Sequence, residues 1–195
     1  MAYGDIAVAI LAAGRSQRFG ANKLLADLDG VPLGLRAAHM LSRLGFGWQY
    51  AICDAALASS FGQAGFDATI NDDPAAGLSR SLHLAVNKAR QTKARALLIC
   101  LADMPFVTPD HIAALIAEME CTNDIVASSD GTKSSGTYPK PPALFPRSIW
   151  PLLLETKGDG GARGLLSRAK LVSAAPHILI DIDTPQDLAD AITRV

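Results

Sequence analysis

The segment Leu11-Ala12-Ala13-Gly14-Arg15-Ser16-Gln17-Arg18-Phe19-Gly20, followed by Lys23, has the make-up of a polyphosphate-binding loop. Small side chains let the backbone approach a triphosphate and turn its N–H groups toward phosphate oxygens, while Arg15 and Lys23 add fixed positive charge. A purely structural glycine turn does not account for two cations spaced around the glycines. Two familiar phosphate loops are excluded, because the segment contains neither GxxxxGK(S/T) nor GxGxxG.

A second signal, Leu101-Ala102-Asp103-Met104-Pro105, sets one carboxylate at the end of an apolar run. A hard oxygen ligand there suits Mg²⁺, which takes few protein carboxylates and otherwise binds water and substrate phosphates. Alone, such an aspartate also reads as a turn or helix cap. In Asp72-Asp73-Pro74-Ala75-Ala76-Gly77-Leu78-Ser79-Arg80-Ser81-Leu82, the residues Gly77, Ser79 and Ser81 fall where a helix begins. Free N–H groups and hydroxyls at a helix start can hold an anion or read a base edge, and an ordinary N-cap has the same composition.

The elements that must carry these residues alternate along the chain. Apolar runs predict strands over residues 6–11, 48–53, 66–70, 96–101, 125–128 and 178–182. Helical spacing and punctuation predict helices over 33–44, 56–62, 79–89, 111–119, 147–154 and 162–168, and a last one opened by Thr184-Pro185. Thr108-Pro109-Asp110 supplies an N-cap, a first-turn proline and an acidic first turn. Residues 130–146, rich in Ser, Gly, Lys and Pro, predict a long irregular segment over the sheet edge. The expected fold is therefore α/β, a single-domain, doubly wound and mostly parallel sheet with helices on both faces. Ligands in such folds sit outside the C-terminal strand ends, just after Leu11, Ile70, Leu101 and Ile182.

Composition narrows the function classes. A formal net charge of -1 over 195 residues gives no global pull toward nucleic acid or anionic membrane, so any anion must be bound locally. Cys53, Cys100 and Cys121 lack CxxC spacing and read as buried thiols in a reducing, cytoplasmic compartment. The apolar run at residues 6–13 is too short to span a bilayer and has no basic flank, so neither a secretion signal nor a membrane anchor is expected. His39, His83, His111 and His177 show no ligand spacing, and no Ser-His-Asp order is visible.

The loop at residues 11–23 resembles the signature of the MobA-like nucleotidyltransferases, LA(A/G)GxSxRMGxxK, with Phe19 in place of methionine. Its Ala-Ala-Gly form looks like the molybdenum cofactor cytidylyltransferase branch. Four other segments are similar to family motifs: Leu101-Ala102-Asp103-Met104-Pro105 to LxDMP, Gly77 to Leu82 to GxSxSL, Gly158-Asp159-Gly160-Gly161-Ala162-Arg163 to GDxGAR, and Asp181-Ile182-Asp183-Thr184-Pro185-Gln186-Asp187-Leu188 to DIDTPxDL. The resemblance implies one nucleotidyltransferase domain over residues 1–195. It also implies nucleotide binding by Leu11, Ala12, Ala13, Gly14, Arg15, Ser16, Lys23, Gly77, Ser79 and Ser81. Arg15, Lys23 and Asp103 would be catalytic, and Asp103 and Asp183 would hold Mg²⁺, with Asp181 in reserve. Asp159 and Arg163 would meet the acceptor, the guanidinium gripping its phosphate bidentately. Thr184 and Asp187 read as a helix N-cap and an acidic partner. The family's Gly-His-Pro is absent: the chain reads Tyr138-Pro139-Lys140-Pro141-Pro142-Ala143-Leu144-Phe145.

The implied reaction transfers CMP from CTP to the phosphate of molybdenum-carrying molybdopterin, releases pyrophosphate, and supplies hydroxylases related to xanthine dehydrogenase. A molybdoenzyme or its maturation factor would be a further partner. Two alternatives stay open at this point: a guanylyl- or sugar-phosphate nucleotidyltransferase, and a non-catalytic nucleotide-binding protein that matures a molybdoenzyme.

Overall fold

The computed structural model describes residues 1–14, 19–20, 22–131 and 138–193. Strand β1 (Ile6–Ala12) is buried along its whole length. It is followed by a small antiparallel hairpin, β2 (Asp27–Leu28) and β3 (Val31–Pro32), and then by helix α1 (Leu33–Leu41). Next come β4 (Trp48–Cys53), α2 (Ala55–Gln63), β5 (Asp67–Ile70), α3 (Leu78–Arg90), β6 (Ala96–Leu101), α4 (Pro109–Thr122) and β7 (Val126–Ser129). The chain ends with β8 (Lys140–Pro146), α5 (Trp150–Leu153), α6 (Arg163–Leu166), β9 (Lys170–Ser173) and α7 (Pro185–Ile192).

Seven strands form one sheet in the order β5-β4-β1-β6-β8-β7-β9. Pairings among β5, β4, β1 and β6 are parallel, β8 is antiparallel to both its neighbours, and β9 is parallel to β7. Successive side chains of a strand point to opposite faces, and β1 uses both. Ile6, Val8, Ile10 and Ala12 join Leu41, Phe61 and Leu115 from α1, α2 and α4. Ala7, Ala9 and Leu11 join Leu82 and Val86 of α3 with Trp150 of α5 and Leu166 of α6. The doubly wound, mostly parallel sheet expected from the sequence is therefore present, with helices on both faces.

Three expectations need correction. Within the segment expected to be irregular, residues 130–146, Lys140–Pro146 forms β8 in the interior of the sheet. Prolines disguise it, because a residue without an N–H is normally confined to edges and bulges. Here Ala143, Leu144 and Phe145 carry the burial, while Pro141 and Pro142 fall where the register with β7 jumps from Ala127–Ala143 to Ser128–Lys140. The strand expected at 178–182 is instead a 3₁₀ turn, Pro176–Leu179, followed by irregular backbone, and the sheet partner of β7 is Lys170–Ser173. Ile180 and Ile182 serve another purpose, packing with Leu28, Leu33, Ala191, Leu188 and Phe19 in a small third cluster. Cys53 and Cys100 are buried as expected, but Cys121 is exposed. Among the described residues no helix is long and apolar enough to cross a membrane.

Candidate active site

The C-terminal ends of β1 and β6 lie side by side, and Ala102 N donates to Leu11 O across them at 3.1 Å. Residues after Leu101 are thereby held against the start of the small-residue loop. Asp103 is the first carboxylate beyond β6, and its backbone oxygen accepts from Ile182 N at 2.9 Å. Ile182 is fully buried in the third cluster, and burial of an isoleucine side chain contributes about 1.5–3 kcal/mol. A backbone hydrogen bond and a buried anchor thus fix Asp181 and Asp183 beside Asp103. The capping box that starts α7 fixes the other flank: Thr184 Oγ1 accepts from Asp187 N, and Asp187 Oδ2 accepts from Thr184 N and Asp183 N.

Lys23 comes to the same point from a short 3₁₀ turn, Lys23–Leu25. Asn22 caps that turn through Leu24 N and donates to Asp54 Oδ2 at 2.7 Å, and Asp54 in turn caps α2. Leu24 lies so close to Gly34 of α1 that an added Cβ there would stand 3.0 Å from the leucine Cβ. With its approach fixed, Lys23 Nζ donates to Asp103 Oδ2 and Asp183 Oδ1, each at 2.8 Å.

The electrostatics of this triad are unequal. Burial acts to lower the Lys23 pKa, but Asp103 and Asp183 outweigh it and raise it, so the ammonium stays charged. Burial pushes the Asp103 carboxyl above its ordinary range against the pull of Lys23, and Asp181 pushes it further. Asp103 Oδ1 is buried without a hydrogen-bond partner. Asp103 and Asp183 hold the Lys23 ammonium between them, and the charge of Asp181 acts on Asp103. A buried oxygen without a partner in an acidic cluster fits a cation ligand, since leaving such an atom unsatisfied is costly. Among the described residues no group of three or more His, Cys, Asp or Glu side chains is arranged to enclose a metal. A site with few carboxylates suits an ion that also takes water and substrate oxygens.

Two adjoining clefts meet at this corner. The smaller, about 120 Å³, is lined by Leu11, Ala12, Ala13, Gly14, Lys23 and Asp103, with Leu24, Leu78, Ser81 and Leu101. The larger, about 300 Å³, shares Leu11, Leu78 and Leu101 with it. Its walls are mainly apolar, including Met104, Ala143 and Phe145, with Asp159, Arg163, Lys140 and Asp181 as the charged residues.

Most of the residues singled out from sequence converge here. Leu11, Ala12, Ala13, Gly14, Lys23, Ser81 and Asp103 border the smaller cleft, Asp159 and Arg163 the larger, and Asp183 is tied to Lys23. Arg15 and Ser16 lie outside the described residues. Gly77 and Ser79 border neither cleft. Gly77 has φ +80° and no room for a Cβ, which would meet Asp159 Oδ1 at 2.5 Å, and Ser79 Oγ donates to Ala76 O at 3.4 Å. Gly77 lets the start of α3 pack against the turn at residues 158–160, and Ser79 ties that start to the preceding 3₁₀ turn.

Sequence reasoning missed three contributors. Leu78 borders both clefts. Buried Asn71, just beyond β5, donates to Ser81 Oγ at 2.9 Å and fixes that hydroxyl. Lys140, in the segment expected to be irregular, reaches the larger cleft. Asn71 was detectable as a polar residue directly after a strand; the other two carry no local signal.

A sheet of this topology, with a small-residue loop, a lysine and carboxylates gathered at the ends of its two central strands, has the architecture of an α/β nucleotidyltransferase. The sequence matches the MobA-like NTP transferase domain over residues 8–174, and the chain belongs to that family of nucleotidyltransferase enzymes. It is 31% identical over 194 residues to the purine catabolism protein PucB of Bacillus subtilis (strain 168), with 91% of each chain covered. It is 26% identical over 201 residues to the molybdenum cofactor guanylyltransferase of Shewanella frigidimarina (strain NCIMB 400), covering 98% of this chain and 97% of that one. The fold matches that of Rv0371c from Mycobacterium tuberculosis H37Rv with a TM-score of 0.79 at 23% identity, over 96% of this chain and 97% of that one. A second crystal structure of Rv0371c, with a TM-score of 0.75 at 23% identity over 97% and 99% of the two chains, is a complex with manganese.

Proposed function

We propose that this chain, acting as one domain over residues 1–195, transfers CMP from CTP to the phosphate of molybdenum-carrying molybdopterin with release of pyrophosphate. The observation that carries the reading is the Lys23 ammonium held at 2.8 Å from both Asp103 and Asp183 beside Ala12-Ala13-Gly14. Gly14 supports it by contrast with Gly77. A Cβ at Gly14 would meet no atom of the described residues within 4 Å, which leaves room for a polyphosphate to approach the backbone there.

In this mechanism the terminal phosphate oxygen of the acceptor attacks the α-phosphorus of the nucleotide in line, and pyrophosphate leaves from the opposite side. The nucleophile is already ionised near neutral pH, so no protein base is needed. Lys23, Arg15 and the loop N–H groups hold and neutralise the phosphates, which leaves alignment and charge stabilisation as the work of the protein. Asp103 and Asp183 would hold Mg²⁺, which supplies charge neutralisation on the phosphates when bound. Arg163 would take the acceptor's phosphate, and the apolar walls of the larger cleft would take its ring system. Bacillus subtilis PucB is named for purine catabolism, and a product that serves xanthine-oxidising hydroxylases fits the same metabolic setting.

Pyrophosphate release tests the reading, with CTP, GTP, ATP and UTP each offered with Mg²⁺ and molybdenum-loaded molybdopterin, phosphoenolpyruvate or sugar phosphates. Preference for CTP with molybdopterin is the expected result. Release with GTP in place of CTP favours the second reading, a guanylyltransferase, which the name of the Shewanella relative supports. Release only with a non-pterin acceptor would discard the molybdopterin assignment.

A further inference from the structure

The segment Pro139-Lys140-Pro141-Pro142 enters the interior of the sheet with an irregular geometry. In the β7–β8 pairing Ala127 faces Ala143, but the next residue, Ser128, faces Lys140. Pro141 and Pro142 have no partners opposite them, as in a β-bulge, which bends a strand and re-aims its side chains. Neither proline can donate to the ladder. The bulge is secured by buried side chains instead. Ser128 Oγ donates to Pro142 O at 2.7 Å, and His111 Nε2 of α4 lies 2.8 Å from the same hydroxyl. Because the Ser128 proton is committed to Pro142 O, the hydroxyl accepts from His111, whose ring therefore carries its proton on Nε2. His111 and Ser128 are 6% and 0% exposed, so this clamp is sealed from water.

Beyond the bulge, Pro139, Lys140 and Pro141 line the larger cleft, in which Arg163 also stands. Lys140 Nζ is 2.9 Å from Asp130 Oδ2, at the end of β7, with the lysine side chain 39% exposed. The aspartate side chain is 21% exposed, so solvent reaches the pair only in part. An ammonium has three donors, so an arriving anion can share it with Asp130.

We propose that Lys140 is an acceptor-selecting residue. Lys140, placed at the wall of the cleft by the Pro141-Pro142 bulge and the Ser128–His111 clamp, offers its ammonium beside Asp130 to an anionic group of the acceptor separate from the one held by Arg163. The proposal rests on the reading above that the larger cleft seats the acceptor, and it adds the acceptor's chemical class: an apolar ring or chain bearing two anionic groups. His111 and Ser128 are positioning residues, since they reach the cleft only through Pro142.

The test compares Lys140→Gln, Lys140→Arg and Ser128→Ala in two measurements. The first titrates the fluorescence of pterin-6-carboxylate with the enzyme, using neutral pterin as control. The second measures pyrophosphate release with whichever phosphorylated acceptor supports it in the wild type. Lys140→Gln should weaken pterin-6-carboxylate binding and raise the acceptor KM by about tenfold, with the nucleotide KM and neutral-pterin binding unchanged. Lys140→Arg should restore most of the loss, and Ser128→Ala should move the acceptor KM in the same direction by a smaller factor. Equal acceptor constants for wild type and Lys140→Gln in both measurements would overturn the proposal. If the wild type ignores both pterins yet the acceptor KM of another substrate rises in Lys140→Gln, the pterin assignment fails while the role of Lys140 stands.

Discussion

The parallel half of the sheet, β5-β4-β1-β6, and its other flank, β8-β7-β9, divide the work of the two clefts. The smaller cleft is built at the tips of β1 and β6 from a continuous small-residue loop and carboxylates held by backbone hydrogen bonds. One wall of the larger cleft is built from an antiparallel strand whose register is broken at two prolines and secured by side chains. Regular parallel strands fix where their ends fall, so chemistry at that corner is determined by fold. A side-chain-clamped bulge can be rebuilt by substitution without moving the sheet.

Mutations should separate the two regions. The largest expected effect is at Asp103, where Asp103→Asn removes a charged oxygen ligand and weakens the hold on Lys23. Turnover should fall by about a thousandfold and the magnesium concentration for half-maximal rate should rise. The melting temperature should change little, because burial already disfavours the ionised carboxylate. An unaltered magnesium titration would remove Asp103 from the metal site.

Lys23→Ala should cost about a hundredfold in turnover, and it carries a second signature. Without the ammonium, Asp103 and Asp183 lose the cation held between them, so added Mg²⁺ should raise the melting temperature of this variant more than that of the wild type. Equal magnesium stabilisation of both proteins would show that the carboxylates do not share one cation site. On the other side of the comparison, Arg163→Gln should raise the acceptor KM about tenfold with the nucleotide KM unchanged. A nucleotide KM that rises in step would mean the two clefts are not functionally distinct.

The same division explains what could be read from sequence. The meeting of the loop at residues 11–14 with Asp103 was legible because continuous apolar runs such as 6–11 and 96–101 mark central parallel strands whose tips adjoin, whereas Lys23 and Asp183 were named by motif resemblance and are brought to that corner by local turns. Thr184 and Asp187 were legible as a cap because capping is local. β8 was not, since its prolines and the polar residues before it outweigh the short buried run Ala143-Leu144-Phe145, and only pairing on both edges makes it a strand. Residues 178–182 were misread for the opposite reason: the apolar alternation is real, but it serves the packing of Ile180 and Ile182 beneath the carboxylate loop. Gly77 looked like a ligand-binding glycine, whereas the structure gives it a reason in packing that depends on Asp159, far away in sequence.

A smaller effect is expected where the nucleotide corner depends on local structure. Thr184→Ala removes the N-cap oxygen of α7 and should lower stability by about 1 kcal/mol, seen as a reduced denaturation midpoint. Because Asp187 still accepts from Asp183 N, turnover at saturating Mg²⁺ should stay close to wild type. A large loss of turnover would mean that the cap, and not the Ile182 anchor, sets the position of Asp183.

The smallest expected effect belongs to the clamped flank and depends on pH. Burial lowers the pKa of His111, so the ring is neutral in the folded protein, while the unfolded chain takes up a proton near its ordinary value of about 6.5. The unfolded state therefore binds more protons as pH falls, and the stability at stake is fully present above that value and lost below it. Unfolding midpoints measured from pH 7.5 to 5.5 should decline in the wild type, and His111→Phe should flatten part of that decline although it is less stable at pH 7.5. His111 borders neither cleft and acts on the larger one only through Ser128 and Pro142, so the nucleotide KM should be the same in both proteins across this range. A decline of the same size in both proteins would show that the clamp does not contribute to acid sensitivity, which would then be assigned to the carboxylates.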